Sequence, residues 1–192
     1  MLEWSLLILA LLISISASAY AIILIYDLTL TTFFKFNGQK LIPYVTSKNF
    51  LLKKLLEKTV GLISPIDKIL ELGCGNAKIL KALVQKYDCT GVGYELQIAP
   101  FLSALIRTYF LRQKIKIHHQ NFFNINFKNY TVIYGYLLPY LMPQVEEKIL
   151  KECAPGTLII LNSFPLPNLR PFDTIKLPAK NELSSKIFFY RL

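Results

Sequence analysis

An acidic residue followed by a glycine pair is the first feature of this sequence that could do chemistry. In "KILELGCGNAKIL", Glu71-Leu72-Gly73-Cys74-Gly75 follows an apolar run and precedes a helical pattern. Glycines at this spacing let the chain turn tightly after a strand and let a ligand approach the backbone, which a Cβ would obstruct. The N-terminus of the following helix adds a positive dipole end. The segment is a candidate ligand-binding turn.

A second acid has the spacing of a ribose-binding residue. Glu95, in "GVGYEL", lies 22 residues after Gly73, a distance typical of an acid that accepts hydrogen bonds from ribose hydroxyls. A dinucleotide fingerprint needs a third glycine where this chain has Lys78. Glu71 is placed to accept from a ligand ammonium group. The set favours S-adenosylmethionine as the cofactor, with an ordinary strand-to-helix turn as the plain alternative.

The remaining cofactor candidates neighbour these residues or end the next strand. Asn121, in "HHQNFFN", can accept from an adenine amino group through its side-chain carbonyl. We also assign Cys74, Asn76, Leu96 and Phe122 as candidate cofactor-binding residues. His118 and His119 have no Cys or carboxylate partners at metal-binding spacing, so we predict no metal site.

The stretch "VIYGYLLPYLMP", residues 132–143, contains the candidate acceptor site. Leu138-Pro139-Tyr140 stands where amino-directed nucleic-acid methyltransferases carry Asn-Pro-Pro-Tyr or Asp-Pro-Pro-Tyr, but Leu137 replaces the polar residue. We interpret this as an absence of base recognition. Tyr136, Pro139 and Tyr140 are the candidate catalytic residues, and Tyr136 also lies near the cofactor.

The elements that must position these residues alternate between strands and helices, which predicts an α/β fold with a parallel sheet. Strands are predicted at 68–72, 89–95, 114–119, 130–137 and 157–163, and helices near 76–87, 97–112 and 143–153. The end of the chain leaves no room for a crossover helix, so strands at about 172–177 and 186–191 should form an antiparallel hairpin.

The order of these motifs resembles the small class I methyltransferases related to the mitochondrial enzymes that methylate lysine on the c-ring protein of ATP synthase and on the adenine nucleotide translocator. The resemblance covers nearly the whole chain, from "IPYVTS" to "NSFPLP". It implies a Rossmann-like class I methyltransferase sheet, S-adenosylmethionine held by the glycine turn and Glu95, and an N-terminal membrane anchor.

The resemblance also implies where the substrate binds. The family segment Pro-aromatic-Val-Pro-Ser/Thr, which covers the cofactor, is similar to residues 43–47, so Tyr44 and Thr46 are candidate substrate-binding residues. Phe164 and Pro165 begin a match to the family's Phe-Pro-x-Pro signature and are assigned likewise. The sequence departs from the family where Thr46 replaces proline and where residues 76–78 replace Asp-Gly-Arg.

An uncharged N-terminal stretch predicts a transmembrane helix. Residues 5–26 contain no charge and would span about 33 Å as a helix, enough to cross a bilayer. A cleaved signal peptide and a buried core helix are the alternatives. The first four residues hold no Lys or Arg, and the apolar run continues beyond Ala17-Ser18-Ala19, which favours an uncleaved anchor.

The charge distribution predicts the orientation and the partners. All 22 basic residues follow residue 34, with 10 of the 12 acidic ones, which leaves 22 − 10 = +12 on that part. By the positive-inside bias the C-terminal domain is cytoplasmic, next to an anionic lipid surface. Three widely spaced cysteines fit a reduced compartment. We predict an anchor at 1–27, a connecting segment with an amphipathic helix at 28–65 and a methyltransferase domain at 66–192.

These features predict a membrane-anchored, single-pass protein-lysine N-methyltransferase that acts on a membrane-associated protein. Only about one lysine in a thousand is neutral at pH 7.4, so the site should work by desolvation and positioning rather than by a strong base. The alternatives are a lipid, quinone or other small-molecule methyltransferase, and a non-catalytic S-adenosylmethionine-binding membrane protein. We predict no nucleic-acid partner.

Overall fold

The computed structural model describes residues 2–36, 49–176 and 186–192. The chain divides into two compact units, Met1–Pro43 and Tyr44–Leu192. In the first unit, helix α1 spans Leu2–Phe36. Its segment Trp4–Tyr26 is long and apolar enough to cross a bilayer and buries nothing within the molecule. The helix thus continues beyond residue 27, where the predicted anchor ends.

The second unit is built on a seven-stranded sheet in the order β3-β2-β1-β4-β5-β7-β6. Strands β1 to β5 are parallel, and β7 runs antiparallel to both β5 and β6. The strands are β1 Lys68–Leu72, β2 Thr90–Glu95, β3 Ile115–His119, β4 Val132–Gly135, β5 Leu158–Asn162, β6 Asp173–Lys176 and β7 Lys186–Arg191. The predicted parallel sheet with an antiparallel terminal hairpin is confirmed.

The helices of this unit are α2 Asn49–Lys58, α3 Lys78–Tyr87, α4 Ile98–Thr108 and α5 Met142–Glu152. Because parallel crossovers are right-handed, α3 and α4 lie on one face of the sheet and α5 lies on the other. Helix α2 packs against α3. Short 3-10 turns form at Tyr109–Leu111, Phe122–Asn124 and Pro139–Leu141.

Glycines in β2 let its neighbours approach the sheet closely. A Cβ on Gly91 would lie 2.6 Å from Leu80 Cδ1 of α3, and a Cβ on Gly93 would lie 2.8 Å from Cys74 Sγ. Neither distance is compatible with a real side chain, so α3 and the turn before it depend on these two glycines to pack on β2.

The strand order reverses between β1 and β4, which pair from Ile69↔Val132 to Leu72↔Gly135. Open α/β sheets bind ligands beyond the carboxyl ends of their strands at such a point. The glycine turn follows β1 and the segment from Tyr136 follows β4, so the two predicted halves of the site leave the sheet side by side.

Candidate active site

The turn after β1 has the backbone conformation that the sequence predicts. Gly73 and Gly75 have φ of 63° and 55°, in the left-handed region that glycine tolerates best. The Cys74 N–H donates to the Tyr94 carbonyl at 2.9 Å, which ties the turn to β2. The Cys74 side chain is buried, and burial raises the pKa of its thiol well above the usual value. Cys74 therefore supports the turn through its backbone hydrogen bonds rather than through a thiolate.

Ala77 also adopts a left-handed conformation, with φ of 54°. This is the position at which the resembled family usually has glycine. This conformation costs a non-glycine residue roughly 1–2 kcal/mol, so the backbone of the turn is strained at Ala77. The Ala77 N–H donates to the Cys74 carbonyl at 2.8 Å, which helps to hold it there.

Glu95 joins the end of β2 to the glycine turn. Its Oε2 accepts from the Gly75 N–H, and its Oε1 accepts from the Leu96 and Gln97 N–H groups, all at 2.8 Å. A carboxylate offers about four acceptor positions, so about one remains, on Oε2. Burial raises the pKa of Glu95 in spite of these three donors.

Glu71 lies buried beneath the first turn of α3. Its Oε2 accepts from the Leu80 N–H at 3.1 Å, one of the backbone donors that a helix start leaves without an intrahelical partner. Ala77 has no side-chain oxygen to cap that turn. Burial, together with the nearby Glu95 carboxylate, raises the pKa of Glu71 to about 8. The sequence did not reveal this supporting role.

The segment after β4 meets the glycine turn. Leu137 is 2% exposed, and a Cβ on Gly73 would lie 3.3 Å from its Cδ2. The residue that replaces the polar position of nucleic-acid methyltransferases is thus packed on the turn. Tyr136 and Leu138 are half-buried and Pro139 is exposed. Tyr140 is 42% exposed, and its partial burial raises its pKa.

The residues after β3 form a capped turn at the same sheet edge. Asn121 Oδ1 accepts from the Phe123 N–H at 2.9 Å, and Phe122 is buried with its ring centroid 4.4 Å from that of Phe123. One lone pair of the predicted adenine acceptor, Asn121 Oδ1, is therefore used within the turn.

The two histidines at the end of β3 have partners of their own. The ring of His118 stacks on Tyr94, and His119 Nε2 lies 2.8 Å from the Leu96 carbonyl oxygen. Among residues 2–36, 49–176 and 186–192, no group of three or more His, Cys, Asp and Glu could hold a metal ion.

The loop after β5 is held by two residues that sequence reasoning missed. Glu146, buried on α5, accepts from the Leu169 N–H at 2.7 Å and from Asn168 through its backbone N–H at 2.9 Å and its Nδ2 at 2.8 Å. The Tyr190 hydroxyl of β7 accepts from the Leu166 N–H at 2.9 Å. The sequence did hold a signal for Glu146, which shares a helical face with the apolar residues Met142, Val145 and Ile149.

Two of the four predicted substrate-binding residues, Phe164 and Pro165, lie in the part of the chain that the structure describes. Phe164, at the start of the loop after β5, is half-buried, and Pro165 is exposed. Tyr44 and Thr46 lie outside the described residues. The structure therefore brings together the turn at residues 73–77, Glu95 and the segment from Tyr136, with the loop after β5 leaving the same sheet edge.

These residues fit S-adenosylmethionine. The turn has no Cβ at Gly73, which is half-buried, or at Gly75, which is buried, and Glu95 keeps an acceptor position on Oε2. Phe122, Tyr136 and Leu96 lie on segments that leave the same edge of the sheet. No third glycine extends the turn toward a pyrophosphate.

Comparison with known proteins places the chain in a family. The ANTKMT methyltransferase domain model matches residues 71–173, more than half of the chain. A protein-lysine N-methyltransferase of Saccharolobus islandicus is 25% identical over 152 residues, which cover 78% of this chain and 92% of the relative. The lysine N-methyltransferase of the ATP synthase c-ring protein from Xenopus laevis is 29% identical over 135 residues, which cover 68% of this chain and 57% of the relative. The chain thus spans little more than half of that animal relative.

Solved structures agree with this assignment at the level of the fold. An RNA methyltransferase from Salinibacter ruber, in complex with S-adenosyl-L-homocysteine, superposes with a TM-score of 0.69 at 18% identity over 77% of this chain and 93% of that one. A putative methyltransferase from Escherichia coli gives 0.62 at 12% identity, over 78% and 90%. The chain therefore belongs to the ANTKMT methyltransferase domain family and is an S-adenosylmethionine-dependent methyltransferase with a class I fold.

Proposed function

We propose that this protein is a protein-lysine N-methyltransferase that acts on a membrane-associated protein. The observation that carries the proposal is the segment after β4, where Leu137 packs on Gly73 and the neighbouring walls are aromatic or apolar. We call the surface formed by residues 136–140 the acceptor slot. It suits an aliphatic amine and offers no acceptor for the amino group of a base. The relatives are lysine N-methyltransferases, one of them for a protein of the ATP synthase, and this supports the proposal.

The cofactor lies, in this proposal, across the carboxyl ends of β1 and β2. Gly73, Cys74, Gly75 and Asn76 face it with their backbone, and Glu95 accepts from its ribose. Glu71 supports the turn from below and is placed toward the ammonium group. The remaining contacts on the adenine side come from Leu96, Asn121, Phe122 and Tyr136. When bound, S-adenosylmethionine would supply a sulfonium methyl group: a neutral amine can attack the methyl carbon, with S-adenosylhomocysteine as the leaving group.

The acceptor slot acts by removing water from the lysine. An amine in apolar surroundings loses its proton more easily because burial disfavours the charged form. Tyr136 and Tyr140 tolerate the ammonium group at the mouth through their ring faces, and Pro139 fixes the turn between them. The described part of this slot holds no acidic or basic side chain, so positioning and desolvation replace a strong general base.

The protein substrate meets the loop after β5 and the segment before α2. Phe164 and Pro165 present an apolar ridge, and Glu146 holds the rest of that loop in place. Tyr44 and Thr46 complete the substrate side. We assign residues 1–27 as the anchor, 28–65 as the connecting segment and 66–192 as the methyltransferase domain.

The membrane attachment uses the uncharged, largely apolar 23-residue segment Trp4–Tyr26 of α1 as a single span. The excess of basic residues after residue 34 supports a cytoplasmic position for the second unit, next to anionic lipid. This arrangement brings the site to proteins embedded in the same membrane.

The test incubates the full-length protein with methyl-labelled S-adenosylmethionine and native membranes, then separates protein, lipid and nucleic acid. We expect the label in protein, as N-methyl-lysine after acid hydrolysis, and its loss when S-adenosylhomocysteine competes. Tyr136→Ala should reduce labelling, whereas Glu147→Gln, an exposed change on α5, should not. Label in the organic phase would show a lipid or quinone methyltransferase instead. Tight cofactor binding without transfer to any fraction would identify a non-catalytic binding protein.

A further inference from the structure

Helix α4 carries its large apolar side chains on the side that faces away from the protein. The residues that it turns toward the sheet are small: Pro100, Ala104 and Thr108 are buried. The outward residues of α4 and of the 3-10 turn Tyr109–Leu111 that continues it are spaced at i, i+3, i+4, i+7 and i+8, and we call them the α4 outer face: Leu102, Leu105, Ile106, Tyr109 and Phe110. A surface helix of a soluble protein normally shows the opposite arrangement.

The exposure on this face is large. Phe110 is 94% exposed and Ile106 is 78% exposed. Single exposed apolar residues are ordinary, but a contiguous patch on one helix marks a surface that contacts something apolar.

The charged residues on the part of the chain that carries the α4 outer face are all basic, and the exposed Asp88 near its end is paired with Lys114. Residues 96–145 contain no Asp or Glu. Arg107 and Arg112 are exposed beside the face, with the Arg112 guanidinium 4.9 Å from the centre of the Tyr109 ring, and Lys116 is exposed on the adjacent strand β3. Aromatic and apolar residues bordered by arginines are typical of helices that lie in the interface of an anionic membrane.

We propose that the α4 outer face lies on an anionic lipid surface and orients the second unit against the membrane. The proposal rests on the membrane attachment proposed above and adds a second, separate contact. Lipid is favoured over a second copy of this chain because the excess of positive charge would repel a like face, whereas anionic headgroups complement it.

The position of α4 links this contact to the site. Helix α4 begins at Ile98, three residues after Glu95. The α4 outer face therefore starts near the carboxyl edge of the sheet and runs along the unit away from it. With α4 lying along the lipid, the carboxyl edge opens parallel to the membrane, and its Glu95 side lies beside the headgroups at the start of α4, while Ile106 and Phe110, the most exposed residues, contact the lipid toward the opposite edge of the sheet.

The test uses tryptophan as a depth probe in the full-length chain, whose single natural tryptophan is Trp4. The variant Trp4→Phe/Phe110→Trp is reconstituted into vesicles of phosphatidylcholine and phosphatidylglycerol that carry bromine on the acyl chains. Trp4→Phe/Leu150→Trp is the matched control, since Leu150 is 55% exposed on α5, across the sheet. Ile106→Trp in the same background is a second probe, and each variant must bind S-adenosylmethionine like the wild type.

We expect bromine to quench the probes at 110 and 106 at least about threefold more than the probe at 150, as for residues at the acyl boundary. Arg107→Gln/Arg112→Gln should reduce that quenching. Trp4 in the wild type reports on α1 separately: quenching of Trp4 without quenching at 110 would overturn the α4 contact and leave the anchor standing. A blue-shifted probe at 110 that bromine does not quench, in a protein that sediments as a dimer, would assign the face to a second copy and also overturn the proposal.

Discussion

Glu95 shows how one carboxylate can organise a site before any ligand arrives. It binds the N–H groups of Gly75, Leu96 and Gln97 at 2.8 Å each, so the glycine turn and the end of β2 are already joined. The remaining acceptor position on Oε2 is the one that a ribose hydroxyl can use. If Glu95 holds the ribose as proposed, we expect cofactor binding to need little rearrangement of this backbone.

Replacing Glu95 with Ala should weaken S-adenosylmethionine binding by at least about tenfold, since a hydrogen bond to a charged group contributes roughly 1.5–3 kcal/mol. The variant also loses the acceptor that joins the turn to β2. Glu95→Gln, which keeps one carbonyl acceptor, should fall between the wild type and the alanine variant. Titration calorimetry measures the affinities, with Glu147→Gln as the control. An unchanged affinity in Glu95→Ala would contradict the ribose assignment.

At the scale of elements, helix α5 fixes the loop after β5 through Glu146. Three donors of Asn168 and Leu169 converge on this buried carboxylate, while Tyr190 of β7 binds the Leu166 N–H. The loop is thus attached both to helix α5 and to strand β7. Phe164 and Pro165 precede these attachments, so their position depends on them.

Glu146→Ala should lower the free energy of unfolding by about 1–3 kcal/mol, because the loop donors lose their acceptor. Amide hydrogen exchange at Asn168 and Leu169 should accelerate, and the KM for the protein substrate should rise more than kcat falls. Glu146→Gln keeps one acceptor and should partly restore the protection. The adjacent Glu147→Gln should behave like the wild type. Unchanged exchange at both amides in Glu146→Ala would exclude the anchoring role.

At the scale of the whole molecule, Glu71 couples pH to stability. Its pKa is about 8 in the folded protein and near 4.5 when exposed, so between these values the folded state retains a proton that the unfolded chain has released. The free energy of unfolding therefore decreases as the pH rises from about 4.5 to 8. The decrease is about 1.4 kcal/mol for each pH unit in this range. Asp67 and Glu152, whose pKa values are lowered by hydrogen bonds from Thr131 and Lys148, act in the opposite direction at lower pH.

Glu71→Gln should remove this pH dependence, because the amide keeps a carbonyl acceptor for the Leu80 N–H without titrating. Unfolding temperatures are measured in detergent from pH 5 to pH 8. The unfolding temperature of the wild type should fall steadily relative to that of the variant as the pH rises. Glu57→Gln, exposed on α2, should give a constant difference. A constant difference for Glu71→Gln as well would show that Glu71 is ionised throughout.

The local elements and the chemistry of the turn could be predicted from the amino-acid sequence. Strands β1 to β5 followed from short apolar runs, the glycine turn from residues 73–75, and the terminal hairpin from a connection too short for a helix. These features depend on neighbours along the chain. The family resemblance, confirmed by the match over residues 71–173, rested on the same local motifs.

Contacts between residues far apart in the chain could not be predicted in this way and became visible in the folded structure. Leu137 packs on Gly73, Glu146 lies under a loop more than 20 residues later, and α4 turns its small residues inward. A hydrophobic pattern predicts that a helix has an apolar face, but the surface that it packs against decides whether that face is buried. For α4 the face against the sheet is narrow and takes small side chains, so the larger ones remain outside.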